Sequence, residues 1–272
     1  MNRIAKLIET ISSNELKTFC EAAGRAALTA GSIIRELYEK PHEIEMKGDI
    51  DLVTEADIAA ETAIVASLNE DAPEIKILAE ESYNDQKDTD RGKVWVIDPL
   101  DGTTNFAHGI PIFAVSIALL ENEQPRLGVI YCPMQDELFC AGLNSGAWMN
   151  NEPISVTDTD FLLQSLVATG FPYDIYSHLP GLVNRIKIVL PKVRDIRRLG
   201  AAAVDLAYTA CGRLDGFWEV GLKPWDTAAG CLLVQEAGGK VSDFMGQPFS
   251  PFKQEILASN GRLHPLLLEL IG

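Results

Sequence analysis

Basic side chains are scarce in this sequence. It carries 23 Lys and Arg against 39 Asp and Glu, a formal net charge of −16, and aromatic residues make up only 7%. A nucleic-acid partner needs a basic surface, so we expect none. No segment approaches the roughly 18 apolar residues of a membrane span. The N-terminal segment lacks the apolar core of a signal peptide. We therefore expect a cytoplasmic protein that does not associate with membranes.

Several common motifs are also missing. Neither C-x-x-C nor H-x-x-x-H occurs among the 5 cysteines and 4 histidines, so we expect no zinc site. Scattered cysteines suit buried thiols in a reducing compartment. His108 lies close to the main motif, and we interpret it as a loop residue. No G-x-G occurs, and Gly238-Gly239-Lys240 lacks the following Ser or Thr of a P-loop, so it is better interpreted as a helix C-cap.

The most informative stretch is VWVIDPLDGTTNF, residues 94–106. Its first four residues are β-branched or aromatic, which predicts a buried strand. Pro99 has no N–H to give to a sheet, so the strand is expected to end at Asp98. Asp101-Gly102 then predicts a tight turn. The motif therefore places two carboxylates at the exit of a buried strand.

Two carboxylates held this closely repel each other, and in a dry site one would have to take a proton. A Mg²⁺ ion resolves the repulsion, because it prefers hard oxygen ligands such as Asp98, Asp101 and the Leu100 carbonyl. Thr103 and Thr104 add hydroxyls, and a helix beginning near Thr104 would offer N–H groups to an anion. This equipment suits hydrolysis of a phosphate ester. The alternative is a solvated turn that only caps a helix. The acidic spacing fits neither an EF-hand nor a phospho-aspartate phosphatase.

At these residues the sequence resembles the inositol monophosphatase family. The family's first signature is similar to DPLDGTTNF from Asp98, and its second to WDTAAG from Trp225 followed by EAGG from Glu236. A third segment, EES from Glu80, precedes both. The motifs occur in the family's order, and the resemblance covers about residues 15–260. TNF at residues 104–106 is similar to the inositol phosphate branch of the family.

The resemblance implies a phosphomonoesterase with two or three Mg²⁺ ions. One metal would be bound by Glu80, Asp98 and the Leu100 carbonyl. A second would be bound by Asp98, Asp101 and Asp226, and a third, weaker ion would sit at Glu80.

The resemblance also implies a catalytic set of Thr103, Asp57 and Glu80. In it, Thr103 and Asp57 orient and deprotonate the attacking water. From spacing alone, Thr54 and Asp57 predict only a helix capping box. Likewise, the position of Asp226 by itself predicts only an acid that stabilises the first turn of a helix. Lys47 corresponds to a family lysine near the metals.

Substrate contacts are likewise implied by the resemblance. They are Asp101, Gly102, Thr103, Gly200, Ala201, Ala202, Glu219 and Asp226, with the N–H groups of Gly102 and Thr103 on the phosphate. Ala201 replaces the family's usual Thr or Ser, which removes one hydroxyl contact. The favoured substrate is inositol 1-phosphate. Histidinol phosphate, fructose 1,6-bisphosphate, 3′-phosphoadenosine phosphate and a non-catalytic, metal-binding regulatory role stay open. Lithium inhibition and a homodimer are further implications.

The pattern of apolar residues predicts an α/β protein. We expect long helices at about 15–39 and 54–69, an antiparallel meander over 113–150, and alternating strands and helices beyond 160, including a helix at 181–190 and a strand at 193–199. Residues 83–92 are polar and predict a mobile loop. The change of pattern at 151–160 predicts a seam between lobes 14–150 and 151–272 of a single catalytic unit. The resemblance implies the layered α-β-α-β-α sugar-phosphatase fold.

Overall fold

The structure, a computed structural model, describes residues 2–38, 40, 44–46, 52–82, 92–172 and 174–272. Lys47 and nearly all of the polar segment 83–92 lie outside the described residues. The helices are α1 (Ala5–Thr10), α2 (Asn14–Tyr38), α3 (Glu55–Asp71), α4 (Thr103–Ala107), α5 (Ile175–Val189), α6 (Ala202–Ala210), α7 (Pro224–Glu236) and α8 (His264–Ile271), with 3₁₀ turns at Asn2–Ile4 and Leu162–Gln164.

The strands are β1 (Ile44–Met46), β2 (Leu52–Thr54), β3 (Lys76–Ala79), β4 (Lys93–Asp101), β5 (Ala114–Glu121), β6 (Gln124–Cys132), β7 (Glu137–Gly142), β8 (Ala147–Met149), β9 (Glu152–Pro153), β10 (Leu166–Thr169), β11 (Asp195–Arg197), β12 (Gly216–Val220), β13 (Lys240–Ser242) and β14 (Glu255–Ser259). The pair β1–β2 stands apart as a small antiparallel ribbon.

The first large sheet has the order β3-β4-β5-β6-β7-β8-β9. Strands β3 and β4 are parallel, and the remaining neighbours are antiparallel, so the predicted meander is confirmed. The second sheet has the order β11-β10-β12-β14-β13. In it, β11, β10 and β12 run parallel, and β14 runs antiparallel to its two neighbours.

The two sheets and their helices form five layers. Strand β4 shows why: successive side chains of a strand point to opposite faces, so Trp95 and Ile97 join the core beneath α2 and α3, whereas Val96 joins the core beneath α6 and α7. The ring of Phe19 on α2 meets Trp95 edge-on, at 5.9 Å between centroids. The outer core packs α5 and α8 against the second sheet. The predicted α-β-α-β-α layering is therefore confirmed.

Close backbone contacts seat α7 between the sheets. A Cβ atom on Gly128 of β6 would stand 2.8 Å from the carbonyl oxygen of Ala229, closer than side chains tolerate. A Cβ atom on Gly230 would stand 2.5 Å from Leu206 of α6. Glycine at these positions lets α7 approach both β6 and α6, and this approach fixes where the first turn of α7 lies.

Three predictions about segment boundaries were wrong. Strand β4 does not end at Asp98 but continues to Asp101, because Pro99 falls in a β-bulge, where no ladder N–H is needed. Helix α5 begins at Ile175 rather than 181 and contains the exposed Pro180. The proline removes a single helical hydrogen bond there, and water can satisfy the freed carbonyl. The strand predicted at 193–199 covers only Asp195–Arg197.

The predictions for the cysteines and for the glycine pair after α7 are confirmed within the described residues. All five cysteines are free, and four of them are buried. Gly238 takes φ +87° after α7, and the Gly239 N–H donates to the Val234 carbonyl at 2.8 Å, so the glycine pair does cap this helix. Among the described residues, no helix combines the length and apolar character that a membrane crossing requires. The lobe boundary at 151–160 stays a prediction.

Candidate active site

The bulge in β4 positions the two carboxylates of the central motif. Asp98 pairs with Ser116 and Asp101 with Ala114, so Pro99 and Leu100 together lie opposite one residue of β5. The Leu100 N–H turns back and donates to Asp98 Oδ1 at 3.0 Å. Asp98 is 2% exposed and Asp101 9% exposed. The bulge thus holds both acids in a buried position at the end of the strand.

Gly102 closes the motif and starts α4. Its φ of +99° is in the left-handed region that favours glycine. A Cβ atom here would lie 3.0 Å from the Ile112 carbonyl oxygen and 3.2 Å from the Ala201 Cβ. The chain at Ala201, about a hundred residues away in sequence, therefore lies against the turn.

Hydrogen bonds fix that neighbouring segment. Asp101 Oδ1 accepts from the Ala202 N–H at 3.1 Å, and Oδ2 accepts from the Ala203 N–H at 2.8 Å. The Asn105 side chain donates to the carbonyls of Leu199 and Ile112 at 2.8 and 2.7 Å. The first turn of α6 is therefore fastened to the motif, which places the predicted contacts at residues 200–202 beside Asp101.

Thr103 and Asp57 meet as the resemblance implies. The Thr103 hydroxyl oxygen lies 2.9 Å from Asp57 Oδ1 and 3.0 Å from the Leu100 carbonyl oxygen, and it can donate its one proton to either. Asp57 Oδ2 accepts from the N–H and the hydroxyl of Thr54 at 2.8 and 2.6 Å. The capping box and the contact with Thr103 therefore exist together. The catalytic role of the pair stays a prediction.

Glu80 and Asp226 complete a group of four acids with Asp98 and Asp101. Glu80 follows β3, where its N–H donates to the Ile97 carbonyl at 3.1 Å. Burial raises the pKa of Asp98 well above its ordinary value, and the nearby Glu80, Asp101 and Asp226 raise it further. The pKa of Asp226 is likewise raised, by burial and then by Glu80. The four predicted ligands therefore lie near enough to one another to interact electrostatically, and their role as metal ligands stays a prediction.

The fit of this group to a metal rests on its chemistry. Burial raises the pKa of Asp101 to about 6, although the N–H groups of Ala203 and Ala202 oppose the shift. In the described part of the chain, no three His, Cys, Asp or Glu side chains are arranged so that they could hold a metal ion as they stand. Several of their oxygens accept protein hydrogen bonds instead. The four acids repel one another and offer only hard oxygens, which suits a divalent cation once these side chains reorient.

Glu219, one of the predicted substrate contacts, lies on β12. Its carboxyl group lies directly over Gly170, so that a Cβ atom at that position would collide with it. Burial, followed by the charge of Asp101, raises the pKa of Glu219 to about 8. Gly200 takes φ +86°, and Ala201 is the buried N-cap of α6. His108 follows α4 and is exposed, as expected for a loop residue.

Sequence reasoning missed three buried polar residues around the site. Glu61 of α3 accepts from the Glu81 N–H at 2.9 Å and so holds the turn that carries Glu80. Asp205 of α6 is 1% exposed, and its Oδ1 has no hydrogen-bond partner among the residues that the structure describes. Asn105 bridges two carbonyls as described above. Only Asp205 could have been found from the sequence, because it is a single acid within an otherwise apolar helical segment, AAAVDLAYTA.

The chain is similar to several known proteins along most of its length. The model of the inositol monophosphatase family matches residues 15–272. An inositol-1-monophosphatase of Synechocystis sp. is 44% identical, over 96% of this chain and 91% of its own. The Nus factor SuhB of Escherichia coli is 43% identical, over 90% of this chain and 92% of its own. The solved structure of an inositol monophosphatase from Anabaena (Nostoc) sp. superposes with a TM-score of 0.85 at 42% identity, covering 94% of this chain and 95% of its own.

Proposed function

The chain belongs to the inositol monophosphatase family, and from this premise we propose that it is a Mg²⁺-dependent phosphatase that hydrolyses inositol 1-phosphate. The relative from Synechocystis, which is named for this activity, supports the choice of substrate. The observation that carries the proposal is the contact between Asp57 in the first turn of α3 and Thr103, which follows Asp98 and Asp101 in the buried central motif.

The proposed metal ligands are the side chains of Glu80, Asp98, Asp101 and Asp226, together with the Leu100 carbonyl. The Leu100 carbonyl oxygen lies 3.0 Å from the Thr103 hydroxyl oxygen, and when the Thr103 proton is donated to Asp57 the lone pairs of that carbonyl are available to a cation. Bound Mg²⁺ would neutralise the phosphate and activate water near neutral pH. The set would hold two or three ions.

The chain's own groups supply the proton path. Thr54 fixes the Asp57 carboxylate, which accepts the Thr103 hydroxyl proton and leaves the Thr103 oxygen free to accept a hydrogen bond from water. Water oriented in this way attacks phosphorus, its proton moves towards Thr103 and Asp57, and the phosphorus–oxygen bond of the ester breaks. The departing alkoxide oxygen takes a proton from solvent and Asp57 returns its proton to solvent, so that the products are inositol and phosphate.

Other groups hold the substrate. The N–H groups of Gly102 and Thr103 are the proposed donors to the phosphate oxygens. Gly200, Ala201, Ala202 and Glu219 form the proposed contact surface for the polyol, and Asp101 and Asp226 border it. Because Ala201 carries no hydroxyl, this surface offers one hydrogen bond fewer than a Thr or Ser would provide.

Phosphate release tests the proposal. The wild-type enzyme is assayed with inositol 1-phosphate, histidinol phosphate, fructose 1,6-bisphosphate and 3′-phosphoadenosine phosphate, in Mg²⁺ and in EDTA. We expect inositol 1-phosphate to give the highest kcat/KM and EDTA to abolish release. Asp98→Asn is expected to be folded and inactive. The matched control is Asp158→Asn, because that exposed acid forms its ion pair with Arg262 at the surface. Full activity of Asp98→Asn would refute the proposed site.

A second function is favoured by the relative named Nus factor SuhB. In this alternative the chain acts as a Nus factor, with or without turnover. Wild type and Asp98→Asn are each expressed in Escherichia coli lacking that relative. Restored function with both proteins would support a role that does not need hydrolysis, whereas restoration by wild type alone would tie the role to the acids.

Oligomeric state and lithium sensitivity belong to the same proposal. We infer a homodimer that is inhibited by Li⁺. Light scattering of the purified protein measures its mass directly, and a monomer would contradict the inference. Phosphate release in increasing LiCl, with NaCl as the ionic-strength control, measures the inhibition.

A further inference from the structure

Three parallel strands of the second sheet end together beside the proposed site. Ala168 of β10 pairs with Arg197 of β11, and Thr169 pairs with Trp218 of β12. The residues that follow at this edge are Arg198, the Gly170-Phe171 pair and Glu219. Ligands of α/β sheets bind outside the carboxyl ends of parallel strands. These residues therefore lie where the alcohol part of a substrate would be held.

Arg198 occupies this edge in an unusual way. Its guanidinium lies over the ring of Phe171, 5.1 Å from the centroid, and packs so closely on Gly200 that a Cβ atom there would collide with it. Its neighbour Arg197 pairs with Asp195 at 2.5 Å. Within the part of the chain that the structure describes, Arg198 has neither an ion pair nor a hydrogen bond. One face of the guanidinium therefore packs on the Phe171 ring, and its N–H donors are available to a ligand.

Three acids lie near enough to Arg198 to interact with it electrostatically, yet none of them forms an ion pair with it within the described residues. Arg198 acts electrostatically on Asp101, Asp205 and Glu219, and it lowers the pKa of each against the effect of burial. A residue that served only to neutralise these acids would be expected to pair with one of them. Arg198 instead stacks on an exposed aromatic ring, an arrangement that keeps the guanidinium plane fixed and its edge available.

We propose that Arg198 is a specificity-determining residue that binds a second anionic group, a phosphate or a carboxylate, on the alcohol part of the substrate. This inference rests on the proposed phosphatase function and extends it to a second class of substrates. A guanidinium binds phosphate or carboxylate through two parallel hydrogen bonds, which are stronger than those to a neutral hydroxyl. Esters that carry such a group gain a contact that inositol 1-phosphate lacks.

Matched substrate pairs test the proposal. Fructose 1,6-bisphosphate is compared with fructose 1-phosphate, and 2-phosphoglycerate with glycerol 2-phosphate, so the two pairs separate a second phosphate from a carboxylate. In wild type, the doubly anionic member of at least one pair is expected to have the higher kcat/KM. In Arg198→Gln this advantage is expected to fall by about tenfold to hundredfold, the range for a lost charge-assisted contact. The singly anionic substrates are expected to change little.

Two further variants sharpen the comparison. Arg197→Gln is the matched control, since that arginine lies next in the chain but pairs with Asp195, and it is expected to keep the wild-type ratio. Arg198→Lys keeps the charge and loses the fork, so it is expected to retain part of the advantage. Equal ratios in wild type and Arg198→Gln would overturn the proposal, as would the same loss in Arg197→Gln. If Arg198→Gln lost kcat/KM equally on both members of a pair and its molecular mass in solution also changed, Arg198 would be assigned to subunit assembly. That result would overturn the proposal as well.

The outcome is separable from the proposed function. If wild type releases no phosphate from inositol 1-phosphate, the proposed function fails, and calorimetry still compares the binding of fructose 1,6-bisphosphate with that of fructose 1-phosphate in wild type and Arg198→Gln. Tighter binding of the bisphosphate in wild type alone would uphold the role of Arg198. Equal binding by the two proteins would refute it.

Discussion

The Thr103 hydroxyl oxygen lies 2.9 Å from Asp57 Oδ1, while the other oxygen of that carboxylate is held by Thr54. All three side chains are buried. A carboxylate held on one oxygen by the head of its own helix cannot turn away from Thr103. The capping box of α3 therefore keeps Asp57 Oδ1 in place to accept a proton from the Thr103 hydroxyl.

The first prediction concerns this contact. Thr103→Val removes the hydroxyl at nearly constant volume, and we expect kcat to fall by about 10²–10⁴-fold, the usual contribution of a positioned proton acceptor. Thr103→Ser keeps the hydroxyl and should retain most of the activity. The control is Thr104→Val, because Thr104 is the exposed neighbour on α4. Equal kcat values for the two valine variants would argue against a proton path through Thr103.

The second prediction concerns the four acids. Mutual repulsion and burial raise the pKa of Asp98 and Asp226, so a divalent cation should stabilise the folded protein. With Mg²⁺ at a hundred times its Kd, linkage gives about 2.7 kcal/mol, which differential scanning calorimetry would record as a higher Tm. The increase should shrink in Asp98→Asn and persist in Asp158→Asn. An identical rise in wild type and Asp98→Asn would place the binding elsewhere.

The third prediction concerns Glu236 at the end of α7. Its carboxylate accepts three N–H groups of the β7–β8 turn, from Asn144 at 2.8 Å, Ser145 at 3.1 Å and Gly146 at 2.8 Å. Glu236→Ala should lower the free energy of unfolding by about 1–3 kcal/mol, because the donors lose a charged acceptor. Urea unfolding measures the loss. Gln235→Ala, the exposed neighbour, should be near neutral, and a loss as large in that variant would count against the carboxylate.

The fourth prediction concerns His264, which is buried between Ser242 and Ser259. Burial lowers the pKa of its imidazole from 6.5 to about 4. Between pH 6.5 and about pH 4, His264 is therefore protonated in the unfolded chain but neutral in the folded protein. This contribution to stability is complete above pH 6.5 and is lost as the pH falls towards 4.

Urea unfolding at pH 7 and pH 5 tests this linkage. The free energy of unfolding should drop more between these values in wild type than in His264→Gln. His178→Gln, which changes a partly exposed histidine of α5, should keep the wild-type drop. The same drop in all three proteins would exclude His264 as the group responsible.

The sequence was informative where chemistry and local structure coincide. Asp98 lies at the end of a predicted strand and Asp226 in the first turn of a predicted helix, so apolar pattern and acid position together located them. Glu80 was located through the EES segment of the family resemblance. The layered fold followed from the strand and helix patterns together with the family resemblance. Asp57 needed the resemblance, because its spacing alone indicated only a cap.

The remaining features depend on contacts between distant residues. Glu61 reaches the Glu81 N–H across 20 residues, and Asn105 reaches Leu199 across 94. No local periodicity records such pairings. The bulge at Pro99 and the helical position of Pro180 were missed for a related reason. The sequence shows that a proline has no N–H to donate, but the surrounding structure decides whether a hydrogen bond is required at that position.

The hydrogen bonds from Ala202 and Ala203 to Asp101 have a consequence for protein synthesis. The ribosome releases the DPLDGTT turn well before the α6 residues that brace it have been translated. We expect a nascent polypeptide to carry an unbraced, unreactive turn until the final quarter of translation. We therefore expect the proposed hydrolysis only from chains in which α6 has been made and has folded against this turn.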